Sequence, residues 1–437
     1  MENIVLPPKK NILYRLGKHP LLIPYNRLFI LVSLINLYLI YKSIFEWNWF
    51  DSNGIAINTI AQVVLINFTV GILVRQQYVI NLLFSIATSI PKSWPLFVRR
   101  IAGKVYHFGG LHSSSTSMGT LWYFIFIGSL YYHYVHNLPG VNLAIMVVTS
   151  IILILLCIII IMALPKIRSK YHNHFEITHR LGGWTVLILF WVQMVLFFNI
   201  DNKSVFIFTN VNFWILFTVT ISVIIPWLHL KKVNIDINSP SNHVALTSFD
   251  YGVTPFAGSS TALSTNPLLE WHSFANVPSP GKNGFRLTIS RAGDWTGKFI
   301  SEKPQKIWVK GIPTAGVGNI DKLFKKVIWV ATGSGIGPCL PHLLLNETPS
   351  VLVWSTRDPS KTYGNKLVNE IKSVQPNAII WDTDTKGKPD LVKIAYKAFC
   401  DHNAEAIICI SNQKLTEKVV HSMEAIGIPA YGAIWDS

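Results

Sequence analysis

The chain has 437 residues, 50% of them hydrophobic and only 14% charged, with a mean hydropathy of +0.37. That balance excludes an ordinary soluble domain and a disordered chain, and it points to a membrane class of two or three units. A net charge of +16 would suit nucleic acid, but its distribution along the chain accounts for it in another way. Cys157, Cys339, Cys400 and Cys409 show neither metal-ligand spacing nor a secreted disulfide pattern, which fits a reduced cytosolic face.

Residues 1–23 open with Glu2, Pro7, Pro8, Lys9 and Lys10 and lack a short apolar core with a small-residue cleavage site. They are expected to be retained as a cytoplasmic segment. A helix crossing about 30 Å of hydrocarbon needs about 20 apolar residues. Six stretches within 24–232 qualify: Leu28–Phe45, Ile55–Leu73, Ser113–Tyr132, Leu143–Leu164, Leu181–Phe198 and Phe206–Leu228. Sixteen Lys and Arg residues precede span one, separate spans two from three and four from five, or follow span six. Lys42 and Lys203 alone fall on the other side. Cations gather on the cytoplasmic side, so the reading is a multi-pass membrane protein with both termini in the cytosol, against membrane lipids. With the charge explained by topology, and no basic helix or stacking platform left over, nucleic acid is not an expected partner. The loop from Arg75 to His107 carries Trp94 and Phe97 beside Arg99 and Arg100. Two placements stand for it: in the headgroup region, or packed under the soluble half.

Residues 233–325 read as short β runs (Val244–Phe249, Phe285–Ser290, Lys306–Val309) of a small antiparallel barrel or sandwich. Residues 326–437 alternate strand, turn and helix, with strands at Lys326–Ala331, Ser350–Ser355, Ala378–Asp382 and Ala406–Ser411, the pattern of an open parallel sheet. The sharpest local signal is a buried strand running into Gly333-Ser334-Gly335-Ile336-Gly337-Pro338 and then into an apolar helix. Glycines there admit a pyrophosphate to the free N–H groups of the helix; an ordinary tight turn is the plainer reading. Arg357, with Lys361, ends the next strand, where a cation suits a 2′-phosphate and hence NADPH over NADH. A solvated loop arginine is the alternative.

Glu270-Trp271-His272-Ser273-Phe274-Ala275 resembles the His-Pro-Phe-Thr flavin motif of the ferric reductase and NADPH oxidase superfamily, whose C-terminal module is ferredoxin-NADP reductase-like. Arg291-Ala292-Gly293-Asp294-Trp295-Thr296 resembles the Gly-Asp-Trp-Thr segment that follows it there, and Gly333–Pro338 resembles the superfamily's NADPH loop. The resemblance implies a six-span α-helical membrane bundle, then an antiparallel β-barrel FAD domain and an α/β nucleotide-binding domain. It also implies FAD, NADPH and hydride transfer from nicotinamide to flavin. Carried over, His272, Ser273, Phe274 and Ala275 lie along the isoalloxazine edge. Ser273 departs from the motif's Pro, and Ala275 lacks its hydroxyl, a loss of about 1 kcal/mol in one hydrogen bond. The pyrophosphate arginine falls at Arg291 or one residue away, and on a strand one residue is the opposite face. Gly311 and Gly316 precede the nucleotide domain as further phosphate-loop candidates. Ser411 and Asn412 replace a Cys-Gly pair, and Trp435 stands where a C-terminal aromatic covers the flavin or packs in the core. Gly432–Ser437 and Trp354–Pro359 resemble a fungal-type branch found beside adenylation modules.

Superfamily members that move electrons across a membrane hold two haems on histidines of spans three and five. Each pair lies fourteen residues apart, about 21 Å along a helix. His107 and His112 enter span three, His174 and His179 enter span five, and Gly109-Gly110 and Gly182-Gly183 sit beside them. The outer positions are Leu121, Phe126 and Gln193, so an outer haem is not expected. One inner b-type haem on His112 (or His107) and His179 is one reading. Interfacial histidines contacting headgroups, water or a substrate is the other. Three functions follow. The first is an NADPH- and FAD-dependent oxidoreductase serving a small-molecule or lipid-soluble acceptor at the cytoplasmic membrane face. The second is a two-haem ferric reductase or oxidase, and the third a signalling protein that keeps the fold without catalysis. No protein partner or oligomeric state is legible, since no span shows a small-residue dimer face.

Overall fold

The structure, a computed structural model, describes residues 4–51, 54–200 and 207–433. Its first half contains α1 (Pro24–Phe45), α2 (Ile57–Leu73), α3 (Gln77–Thr88), α4 (Leu96–Ala102), α5 (Gly109–Val135), α6 (Leu143–Ala163), α7 (His172–Ile200) and α8 (Val211–Leu228). The expected six-span bundle is corrected here. Among the described residues four helices, α1, α6, α7 and α8, are long and apolar enough to cross a membrane. A fifth span is reached only by joining α2 to α3, which meet at a 71° bend. Gln76 makes that break, because its side-chain oxygen caps α3 by accepting from Tyr78 N at 2.6 Å and Val79 N at 3.2 Å.

The third expected span lies inside α5, whose polar content has a packing reason. This helix is central, held against α1, α2 and α6, with Trp122, Tyr123, Phe126 and Leu130 buried. Its buried Ser114, Thr120 and Ser129 return their hydroxyls to carbonyls four residues back at 2.7, 3.0 and 2.9 Å, so they need no outside partner. Asn36 of α1 ties the three helices together, accepting from Trp122 Nε1 at 3.0 Å and Asn67 Nδ2 at 2.9 Å.

The second half opens with eight short strands: β1 (Leu230–Asn234), β2 (Asp236–Ser241), β3 (Val244–Phe249), β4 (Ser259–Ser264), β5 (His272–Ala275), β6 (Phe285–Ser290), β7 (Lys306–Lys310) and β8 (Thr314–Ala315). Helix α9 (Asp294–Glu302) follows β6. The expected closed barrel does not form among the described residues. One antiparallel sheet runs β8-β4-β7-β1, with β5 also on β4, and a separate one runs β2-β3-β6. A core of Val233, Ala245, Leu263, Leu287, Phe299 and Val309 lies between them.

The last unit is a parallel sheet of β9 (Val327–Thr332), β10 (Ser350–Thr356), β11 (Ile379–Asp382), β12 (Ala406–Ile410) and β13 (Ala430–Gly432), in the order β11-β10-β9-β12-β13. Helices α10 (Ile336–Leu345), α11 (Asn365–Val374), α12 (Leu391–Asp401) and α13 (Gln413–Ala425) connect the strands. The central strands β9 and β12 are almost wholly apolar, as burial on both faces requires. The architecture is therefore mixed α/β.

Of the two placements for the Arg75–His107 loop, the structure shows the second. Ile80, Phe84 and Tyr106 share one buried core with Phe324, Trp329 and Tyr431 of the C-terminal unit. Asn81 brackets β8, donating to Pro313 O at 3.0 Å and accepting from Ala315 N at 2.8 Å. Arg99 of α4, only 3% exposed, has a partner on each of its three nitrogens. It reaches Glu405 at 2.6 and 3.1 Å, Leu323 O at 2.9 Å and Trp94 O at 2.9 Å. Beside it, buried Glu424 of α13 is paired with Arg100, with Lys18 at 3.1 Å and with Lys104 at 3.3 Å. Burial alone would raise the Glu424 carboxyl, but Lys104, Arg100 and Lys18 outweigh it and bring it down from 4.5 to about 2. Because the folded value is the lower one, this stabilisation is complete above pH 4.5 and lost as pH falls towards about 2. Glu424→Gln strands three cations and is expected to cost about 3 kcal/mol. Denaturant unfolding of the detergent-solubilised protein checks this, and the gap between wild type and variant should close as the pH is lowered through that window.

Candidate functional site

The parallel sheet reverses its strand order between β9 and β12, and in open α/β sheets the crevice at that switch, outside the carboxyl ends of the strands, is where ligands sit. Both predicted phosphate-turn and partner residues are brought there: Gly333–Pro338 leaves β9, and Ser411-Asn412 leaves β12. The three glycines serve different ends. Gly333 takes φ +51°, a left-handed conformation that L side chains rarely adopt. A Cβ on Gly335 would stand 2.1 Å from Ile410 O, so this glycine is required by the protein's own backbone. A Cβ on Gly337 would lie 3.4 Å from Thr288 of β6, where α10 meets the flavin-motif sheets. Ser334 is exposed at the mouth of the turn, and Pro338 is half-buried in the first turn of α10.

Three residues to which the sequence reading gave no site role, Thr332, Trp354 and Tyr363, join Ser411 in completing the crevice. Thr332 and Ser411 share a 2.5 Å hydroxyl contact across the switch. Trp354 donates its indole N–H to Gly333 O at 2.9 Å, and Tyr363 lies beside the same glycine. The cue was available in principle, since residues that end adjacent parallel strands must meet. Two thiols flank the crevice, Cys339, which donates to Gly335 O at 3.2 Å, and Cys409 at the end of β12; both are buried, which raises both, Cys409 to about 12. Arg357 is exposed just after β10, its carbonyl accepting from Thr362 Oγ1 at 2.8 Å.

The flavin-motif residues lie on β5, antiparallel to β4, with Ala275 opposite Ser260 and His272 opposite Leu263. Alternation puts His272 and Phe274 on one face, where both stack on Trp295 at 4.3 and 6.0 Å. Ser273 is exposed, and His272 Nε2 is buried without a hydrogen-bond partner, 3.6 Å from Glu270. β5 and β6 both pack against α10, so this strand and the glycine turn share one junction. Thr296 organises the start of α9 by accepting from Ala292 N at 2.9 Å and Gly293 N at 3.0 Å. Arg291 follows β6 and is not on a strand, so the question of strand face does not arise. Its side chain donates to Asn242 O at 3.1 Å and lies 3.2 Å from a Cβ placed on Gly297, over the first turn of α9. Exposed cation and helix N-terminus together suit a diphosphate. Gly311 is occupied by a backbone approach, since its Cβ would stand 2.6 Å from His229 O, while Gly316 donates to Gly258 O at 2.9 Å. Trp435 lies outside the described residues.

The inner haem site does not fit these residues. His112 and His179 meet edge to face at 5.9 Å, and His112 Nδ1 donates to Gly71 O at 2.8 Å. Three of the four glycines expected to admit a porphyrin are approached by protein: a Cβ on Gly110 would lie 2.3 Å from Tyr25 O, one on Gly109 3.3 Å from the Tyr25 ring, and one on Gly182 3.2 Å from Ile159, while Gly183 faces open space. His107 is buried against Tyr106 at 4.4 Å, and His174 is exposed beside Tyr171. Among the described residues no three His, Cys, Asp or Glu side chains gather as a metal site.

Residues 317–437 match the family described as the C-terminal domain of adenylate-forming reductase 03009. Adenylate-forming reductases 03009 and 06235 of Coprinopsis cinerea are 42% and 41% identical over 426 residues, covering 96% of this chain and 41% of each relative. The chain thus spans less than half the length of these curated relatives. Among solved structures it is similar to a ferredoxin-NADP+ reductase from Neisseria gonorrhoeae with bound FAD and NADP, at 13% identity and TM-score 0.37, covering 47% of this chain and 98% of that one. A ferredoxin-NADP+ reductase from Plasmodium falciparum gives 12% and 0.38, covering 47% and 96%. The expected place in the ferric reductase and NADPH oxidase superfamily is corrected by the relatives: 42% and 41% identity over 96% of the chain outweigh three short motifs.

Gly335→Ala is expected to destabilise the protein by about 1–3 kcal/mol, since backbone must shift to admit the methyl. Gly293→Ala meets nothing within 4 Å and should be near neutral. Melting temperatures of the two variants, read side by side, check the assignment.

Proposed function

We propose that this chain is an NADPH-dependent, FAD-binding reductase unit fixed to a membrane by its apolar helices, with the reductase face in the cytosol. The observation that carries the reading is the junction of the flavin-motif strand β5 and the glycine turn on α10, at the switch point of the parallel sheet. Flavin, when bound, supplies the capacity to accept a hydride and to pass reducing equivalents on. Around it, the His272–Phe274 face with Trp295 offers an aromatic wall, and Arg291 with the first turn of α9 holds a diphosphate. Gly333 and Gly335 keep the turn flat at the crevice mouth, and Arg357 selects the 2′-phosphate. Thr332 and Ser411 offer hydroxyls at the crevice floor, where the buried thiols cannot take part. Ala275 brings no hydroxyl to the flavin edge, so affinity for flavin is reduced. The membrane setting is supported by the four long apolar helices and the cytoplasmic excess of Lys and Arg. The relatives' name pairs adenylate formation with reduction, and on that analogy the acceptor is a carboxyl-derived group activated outside this chain.

Detergent-purified protein should show flavin absorption bands that bleach on adding NADPH. No flavin band after FAD supplementation, together with no NADPH oxidation, would leave only the non-catalytic reading. Arg357→Ala should weaken NADPH about tenfold while leaving NADH unchanged, because one charge-assisted contact to the 2′-phosphate is lost; equal loss for both nucleotides would remove Arg357 from the site. Ala275→Ser should tighten flavin by a few-fold, read by fluorescence titration.

A further inference from the structure

The stretch from Thr265 to Trp271 joins β4 to the flavin-motif strand β5. It opens with the turn formers Thr265, Asn266 and Pro267 and continues into Leu268 and Leu269. The loop closes on itself. Asn266 accepts from Leu268 N at 3.2 Å with its side chain and from Leu269 N at 3.0 Å with its carbonyl. Thr265 donates to Glu270 Oε1 at 2.8 Å, and the Trp271 indole donates to Pro267 O at 2.8 Å. These bonds order the loop, yet its two leucines are not turned inward: Leu268 is 58% exposed and Leu269 48%.

The attachments of the loop fix its depth. Arg180 Nη1 donates to Leu268 O at 3.3 Å, and Arg180 immediately precedes the apolar stretch Leu181–Phe198 of α7. The Trp271 ring meets Trp227 edge to face at 6.5 Å, and Trp227 is the penultimate residue of α8. Trp227 in turn packs on Trp184 of α7 at 5.0 Å, and Lys310 Nζ lies over the Trp271 ring at 4.8 Å. Leu228, which ends α8, is 75% exposed. The loop is thus tied to two long apolar helices where their apolar lengths end, and it adds two leucines at that level. Indole rings, exposed leucines and cations on apolar stems, gathered at one level, are the composition of a membrane–water boundary. Lys231 and Lys232, exposed just beyond α8, extend the cationic side. The acids close by are already engaged, Glu270 by Thr265 and Glu176 facing His172 at 3.3 Å.

We propose that Thr265–Trp271 is a lipid-binding loop: Leu268 and Leu269 enter the bilayer at its headgroup boundary, and the cations around them meet headgroup phosphates. This rests on the membrane reading given above and deepens it. β5 begins at the residue after Trp271, so the flavin-motif strand starts at the lipid surface.

The test uses the full chain in phospholipid nanodiscs, with Cys157→Ala and Cys400→Ser removing the two thiols that are not buried. Spin labels are carried in turn by Leu268→Cys, Leu269→Cys, Lys282→Cys and Ile154→Cys, all at exposed positions. Collision with oxygen against a water-soluble nickel chelate reads the depth of each label. Labels at Leu268 and Leu269 should lie about 5–10 Å into the headgroup–acyl boundary. The label at Lys282, in the loop before β6, should read bulk water, and that at Ile154, midway along α6, should read hydrocarbon. Bulk water at both Leu268 and Leu269 with hydrocarbon at Ile154 overturns the lipid contact and leaves the membrane reading standing. Bulk water at Ile154 as well overturns both.

Discussion

The position of everything in this molecule depends on one docked loop. Between α2 and α5 the chain leaves the helical half, lays α3 and α4 on the C-terminal unit, and returns. Apolar residues alone would permit sliding, since burial is not directional. The ion pairs remove that freedom. Arg99 is planar and meets two carboxylate oxygens and two carbonyls with all three of its nitrogens, which fixes its orientation. Glu424 adds three cations from two separate segments, Lys18 before α1 and Arg100 with Lys104 around α4. Desolvating these charges is expensive, and such networks give geometry more than net stability. Here the geometry is what matters, because it fixes the β5–α10 junction relative to the helices.

That rigidity bears on the glycine turn. A crevice at the switch point is only as flat as its glycines allow, and one of the three is required by the protein itself. Gly335 is pressed against Ile410 O, while Gly337 lies at ordinary contact distance from Thr288. The turn is thus held between the parallel sheet on one side and the antiparallel strand β6 on the other. Trp354 adds a bond to Gly333 O from the neighbouring strand. A ligand would meet a preformed surface and not a loop that must be ordered, which lowers the cost of binding.

Much of this was legible in the sequence, for identifiable reasons. Strands buried on both faces, such as Val327–Thr332 and Ala406–Ile410, are continuous apolar runs bounded by turn residues, and pattern suffices to find them. The phosphate-turn glycines were visible as a motif, though not the separate duties that the backbone assigns them. The six-span reading went astray at α5 and at the α2–α3 bend. Window composition cannot register that Ser114, Thr120 and Ser129 satisfy their hydroxyls within the helix, or that Gln76 caps a new helix where a span would continue. Closure of the strands into a barrel depends on pairings between distant segments, β1 with β7 and β4 with β8, and on a second sheet standing apart. No local period encodes those choices.

The histidines show how a motif can be real and its reading wrong. A glycine pair next to a histidine at the head of a helix is what a flat cofactor needs, and it is equally what a second chain segment needs. Gly110 lies under the Tyr25 carbonyl, so the small residues were selected by the close approach of α1 to α5. Once that space is filled, the two imidazoles are left against each other, edge to face. Sequence alone could not separate these cases, because both require the same residues at the same spacing. The separation comes from the packing: the Tyr25 carbonyl already occupies the space over Gly110 that a flat ring would need.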